Sequence, residues 1–290
     1  MNKILIVTAF LATFMISDLF AQAAQKVTYA NKNQIAEFFN SKTMVVMDEN
    51  PLIGYNLAVR DAVKKYWTIT QYEIINSDKF DELRDDPKLS FIFLSKVQLE
   101  KDKQEVYYMY MNIVMGAKVK DITGLPELLS IPLAYTGVDE DAYVDKLPLM
   151  IRFAQWHINN LKAAPYPSKL NNLKYYNDDA KPLKEMTLLL QESDLSEEVN
   201  TLEKIQKVYP GIVKIVEYEE IAQAIEEKTP DTAVLHQLGP AENENKGRSY
   251  CQIYGTEDGR LWYYNHVNIT QRRPAGMLAR DFRLILGKWF

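Results

Sequence analysis

Two apolar runs, far apart in the chain, carry the same continuation. Thr43–Met47 (TMVVM) closes on Asp48-Glu49-Asn50-Pro51, and Met186–Leu190 (MTLLL) closes on Gln191-Glu192-Ser193-Asp194. Short apolar runs bounded by turn residues read as strands covered on both faces. In the first half, Pro51 suits a first helical position, and Leu57, Val59, Ala62, Val63 and Tyr66 carry helical spacing. Ile69–Ile75 reads as a second strand, followed by a short helix capped by Ser77 or Asp78. Ser90–Val97 and Val106–Met115 read as a hairpin around the charged turn 100–104. Lys118–Tyr135, broken by Pro126 and Pro132, reads as irregular, and Asp139–Leu161 as one long amphipathic helix.

The second half repeats the order. A helix is expected over Glu197–Tyr209, a strand at Ile212–Val216, a helix at Tyr218–Lys228 and a strand at Thr232–Leu238. A hairpin, Ser249–Tyr254 with Leu261–Val267, follows around Asp258-Gly259, a type I′ turn signal. Arg273–Phe290 reads as a closing helix. Val45 aligns with Leu188 at a separation of 143 residues, and Phe80 with Ile221 and Leu94 with Leu235 at 141. The expectation is an α/β fold of two similar three-layer modules. Each is βαβαβ plus a late antiparallel hairpin strand and a long closing helix, an internal duplication with a pseudo-twofold relation. The modules span 43–165 and 185–290. A lead-in segment covers 24–42, and the Pro- and Asn-rich stretch 166–184 is the linker.

Residues 1–23 have the form of a secretory signal peptide. Lys3 supplies the positive start, Ile4–Ile16 the apolar run, and Ala21-Gln22-Ala23 the cleavage site. The run is shorter than the roughly 20 residues a membrane-spanning helix needs, so no transmembrane segment is expected in the mature chain. The address implied is the periplasm, the outer membrane or the outside of a bacterial cell.

Composition narrows the chemistry. One Cys, three His and 11 Gly in 290 residues leave no disulfide, no thiolate or histidine metal cluster and no glycine-rich phosphate loop. A formal net charge of −5 argues against a nucleic-acid partner. No cofactor is implied. Ligands in open α/β sheets sit beyond the carboxyl ends of parallel strands. That rule selects Asp48, Glu49, Asn50 and Asp78 in the first half, and Ser193, Asp194 and His236 in the second. Helix capping accounts for most of these residue types equally well. The aromatic content is the more distinctive signal. Tyr107, Tyr108 and Tyr110 crowd one late strand and Trp262, Tyr263 and Tyr264 another, read as its counterpart. Aromatics with polar tips favour interfaces. The C-terminal residues Arg272, Arg273, Arg280, Arg283 and Lys288 add a basic helix.

The reading that emerges is a secreted or periplasmic, non-catalytic binding or scaffold protein. It would engage an envelope protein or glycan through aromatic edge surfaces and the groove between modules. Two alternatives stay open. One is a hydrolase or metal-assisted enzyme using strand-end carboxylates, the other a small-ligand receptor with an inter-module cleft.

Overall fold

The computed structural model describes residues 27–50, 53–99, 106–164, 167–240 and 246–287. The expected signal peptide, Pro51, the charged turn 100–104, and Lys288 lie outside these residues.

The chain folds into two five-stranded mixed sheets. The first contains β1 (Lys42–Val46), β2 (Gln71–Ile75), β3 (Leu89–Val97), β4 (Tyr108–Met115) and β5 (Glu127–Tyr135), in the order β2-β1-β3-β4-β5. The second contains β6 (Thr187–Leu190), β7 (Ile212–Ile215), β8 (Thr232–Leu238), β9 (Arg248–Gly255) and β10 (Leu261–Asn268), in the order β10-β9-β8-β6-β7. In each sheet the first three strands are parallel and the last two antiparallel. The two connectivities are therefore the same. The expected alignment keeps register, because Val45 lies opposite Ile92 and Leu188 opposite Ala233.

The helices are α1 (Lys32–Phe38), α2 (Gly54–Tyr66), α3 (Ser77–Leu83), α4 (Leu147–Ala163), α5 (Leu202–Gln206), α6 (Tyr218–Glu227) and α7 (Ala279–Ile285). α1, α2 and α4 cover one face of the first sheet and α3 the other. α5 and α7 cover the outer face of the second sheet. Its inner face rests on α4 and α6, where Leu189, Val234, Tyr254 and Leu261 join Phe153, Ala154 and Ile158 in one core. α4 thus closes the first module and floors the second.

Several expected elements differ. The stretch read as irregular contains β5, because proline is tolerated in an edge strand. Pro132 sits beside a register shift between Met109 and Tyr110. The long helix begins later, at Leu147, after two 3₁₀ turns, Glu140–Ala142 and Val144–Lys146, with proline in its first turn. The helix expected over 197–209 shortens to α5, capped by the Thr201 side chain, and the closing helix shortens to α7. α3 is capped by Asn76 rather than by Ser77 or Asp78. In the β9–β10 loop only Gly259 has positive φ, at 72°, and the loop runs to five residues. It is therefore not the two-residue type I′ turn. The strand equivalent to β4 is β9, not β10, so Tyr108 corresponds to Tyr250 rather than to the Trp262–Tyr264 cluster. The linker is itself folded into 3₁₀ turns, with Leu170, Leu173, Tyr176 and Leu183 buried.

The two halves meet where β5, an edge strand, abuts the inner face of the second sheet. Unpaired edge carbonyls invite foreign strands, and here side chains from the rest of the chain take them. Gln252 donates to Pro132 O (2.8 Å), His236 Nε2 to Leu133 O (2.9 Å) and His157 Nε2 to Leu128 O (3.2 Å). The lead-in adds a parallel bridge at Tyr29 and Glu127. The opposite edge, β10, is closed by Asn177 in the 3₁₀ turn Leu173–Asp179. Its side chain donates to Tyr264 O (2.9 Å) and accepts from Tyr264 N (2.8 Å).

Candidate functional site

At the carboxyl end of β1, Asp48 is half-buried while Glu49 and Asn50 are exposed. Asn56, on the first turn of α2, ties the loop. Its amide accepts from Asp48 N (2.8 Å) and donates to the carbonyls of Asp48 and Asn50. Asp48 Oδ1 accepts from Asn50 N (2.9 Å), an Asx turn. Asp78 is exposed on the first turn of α3, a place the helix dipole favours for an acid. Among the described residues, no group of three or more His, Cys, Asp or Glu side chains is placed to hold a metal ion.

At the carboxyl end of β6, Ser193 is exposed and the Asp194 carboxyl turns inward. Burial pushes its pKa up to about 7, against the pull of nearby Lys146. Lys146 is buried at the start of α4, 3.4 Å from Asp145, whose own carboxyl burial holds above the usual range. His236 reaches this cluster from β8 but is committed to Leu133 O. Burial, then the Lys146 charge, pull its pKa down to about 3, so it is a neutral backbone donor. His157 follows the same pattern with a pKa lowered to about 4 by burial, its Nδ1 accepting from the Tyr176 hydroxyl (2.6 Å). Cys251 is buried, and burial raises its thiol pKa well above the ordinary value.

The aromatic clusters are dispersed by the fold. Tyr108 and Tyr263 are fully buried and line no surface. Tyr263 donates to Asp281 Oδ1 (2.8 Å), which also accepts from Asn265 (2.7 Å) and anchors α7. Tyr107 stands apart under the Lys96 ammonium, 4.2 Å from its ring. Trp262 lines a cleft of about 230 Å³ with Glu185, Asp231, Glu257 and Asp258, and Arg260 stacks on its ring at 4.0 Å.

What remains is an aromatic seam where the two halves pack together, with Tyr108, Tyr135, Leu238 and Tyr250 buried and Tyr110 and Tyr264 packed against them. Tyr110 of the first sheet meets Tyr250 of the second, hydroxyl to hydroxyl at 3.0 Å. Tyr108 packs edge-on against Tyr250 (5.8 Å between centroids), and its hydroxyl accepts from Arg248 N (3.0 Å). Tyr135 donates to the Arg248 carbonyl. Gly247 admits this closeness: its φ is +84°, and a Cβ there would lie 2.6 Å from the Tyr135 hydroxyl. The seam continues over half-buried Tyr264 and His266, whose ring lies 5.7 Å from that of Tyr250 and 6.2 Å from that of Tyr264. Burial, then the charges of Lys174 and Arg248, lower the His266 pKa to about 4. Reading by sequence found Tyr108, Tyr110 and Tyr264. It missed Tyr250, His266, Arg248 and Lys174, which sit near the hairpin and linker and gain meaning only when the halves meet.

No family model, curated protein or solved structure matches the chain. Among the described residues, no helix is long and apolar enough to cross a membrane. The α/β class therefore rests on the sheets themselves.

Proposed function

We propose that this protein is an exported, non-catalytic binding or scaffold protein of the bacterial cell envelope, engaging its partner at the tyrosine-lined groove between its two modules. The observation that carries the reading is the convergence of half-buried Tyr110, Tyr264 and His266, from opposite halves, around buried Tyr250. Tyrosine pairs apolar area with a polar tip, and it orders cheaply on binding. His236, within β8, and His157, on α4, support the same reading, since each serves a backbone carbonyl of β5. The N-terminal Lys3, Ile4–Ile16 and Ala21-Gln22-Ala23 support export.

The test is expression of the full chain in a bacterium, with mass spectrometry of its N-terminus and of proteins and glycans recovered with it from the envelope. The expected product begins at Ala24 and returns with a partner. Full-length protein confined to the cytoplasm would contradict export. A protein that returned alone, and gained thermal stability from a divalent ion or a small molecule, would contradict the scaffold reading.

A further inference from the structure

A chain with one cysteine cannot staple its own halves with a disulfide, and Cys251 is buried besides. Where β4 meets β9 across the seam, the facing side chains are phenols. Tyr110 and Tyr250 are 140 positions apart in sequence, yet their hydroxyls lie 3.0 Å from each other. Tyr250 is buried and hemmed in. The rings of Tyr108, Tyr264 and His266 stand 5.8, 6.4 and 5.7 Å from its own. Tyr108 is fixed in turn by Tyr135, edge-on at 4.8 Å, and by Arg248 N, which donates to its hydroxyl. Close-packed rings of this kind have little room to turn away. Tyr110 is half-buried and packs on the cluster from the first sheet. The pair therefore has one shielded member and one that solvent reaches.

A phenol that loses an electron to an oxidant also loses its hydroxyl proton to water. The resulting phenoxyl radical carries spin at the ring carbons beside the oxygen. Two phenoxyls held together form one carbon–carbon bond between those positions. The hydrogens on the bonded carbons then return to the oxygens. The product is a biphenol two hydrogens lighter than the pair, with its hydroxyls side by side, as those of Tyr110 and Tyr250 already are. The other close tyrosine contacts have a different shape. Tyr108 meets Tyr135 at 64° and Tyr250 at 81°, and Tyr175 meets Tyr176 at 80°. Such T-shaped pairs aim the edge of one ring at the face of the other.

We propose that Tyr110 and Tyr250 form a modification site, at which a peroxide-derived one-electron oxidant joins the two modules by a carbon–carbon bond between the rings. With peroxide as the final electron acceptor, one peroxide takes up the two electrons and two protons and leaves as two waters. The bond ties strands of opposite halves, so it restricts the unfolded chain as a disulfide does and raises the thermal midpoint. The joint needs no partner, so it stands or falls apart from the binding reading.

The experiment exposes the dilute full chain to light with tris(bipyridyl)ruthenium(II) and persulfate, which takes the two electrons and leaves as two sulfates. The expected product is a monomer two hydrogens lighter, with the blue emission of a biphenol and a raised thermal midpoint. Digestion and tandem mass spectrometry should yield one peptide pair joined through positions 110 and 250. The same pair is expected in protein recovered from bacteria treated with hydrogen peroxide. Tyr110→Phe and Tyr250→Phe should each remove it, whereas Tyr175→Phe, at an exposed ring, should not. Circular dichroism establishes that the variants fold. Absence of the 110–250 pair from either sample overturns the inference. So does a link between these positions found only in dimers, or coupling that favours other tyrosines and persists unchanged in both Phe variants.

Discussion

Gln252 and His236 face each other across β9 and β8, and each donates a hydrogen bond to one carbonyl of β5. Both are buried, so each is a donor whose loss leaves a desolvated acceptor. Replacing Gln252 by Leu should destabilise the fold by about 1–3 kcal/mol, read from the urea midpoint at unchanged slope. An unchanged midpoint would mean that the Pro132 carbonyl finds water. Asp194 carries a second prediction, with a definite sign. Its folded pKa, about 7, lies above the ordinary carboxylate value, so the folded state holds the proton more tightly. Its contribution to stability therefore falls as pH rises from about 4 to about 7, and is level above that. His157 and His236, held neutral with pKa values of about 4 and about 3, act oppositely. Their contribution is complete above about 6.5 and is lost as pH falls toward 4. Asp194→Asn removes only the first of these slopes. The variant's thermal midpoint relative to the wild type should climb between pH 5 and 7 and then level. A difference constant with pH would show that Asp194 does not titrate in this window.

At the scale of elements, the chain handles its late edges by covering them from within. Asn177 imitates a strand residue against β10, donating and accepting at Tyr264. Asn177→Ala should cost about 1–2 kcal/mol and speed hydrogen exchange at the Tyr264 amide. Exchange unaltered at that amide would show that the clasp does not protect the edge. The central strands β1 and β6 were legible from sequence because their apolar runs are continuous and covered on both faces, as at Val45-Val46 and Leu188–Leu190. β5 was not legible. Its period is blurred by Pro132 and by register shifts, and its carbonyls are served by residues 29 to 120 positions away. The helices were overread for a related reason. Over 197–209 and 273–290 the apolar residues do follow helical spacing. Yet the chain folds there into turns, and Val199 and Met277 reach the same core from irregular backbone. The seam was half legible: tyrosine density marked Tyr108, Tyr110 and Tyr264, whereas Tyr250 and His266 became visible only through register.

At the scale of the molecule, α4 decides the architecture. Phe153 packs edge-on against Tyr254 (5.7 Å), and Arg152 donates to the Thr256 carbonyl, so the helix of the first module belongs equally to the second. A fragment ending at residue 164 would leave that apolar face in water, at roughly 25 cal/mol per Å² exposed. The intact chain should therefore unfold in one calorimetric transition with matching van't Hoff enthalpy. Two separate transitions would mean that the modules are independent. The shared helix fixes the tyrosines of both halves in one frame, and this is how topology makes a seam that neither half has alone.

The most direct measurement of that claim is photo-crosslinking in living cells. A photoreactive phenylalanine would replace Tyr175, in the turn that clasps β10, or Asn268, at the end of that strand, both exposed. The same group at Ile212, exposed on β7, serves as the reference. The account predicts a discrete adduct from positions 175 and 268 and none from 212. Adducts from 212 alone, or equally from all three, would contradict a binding site between the modules.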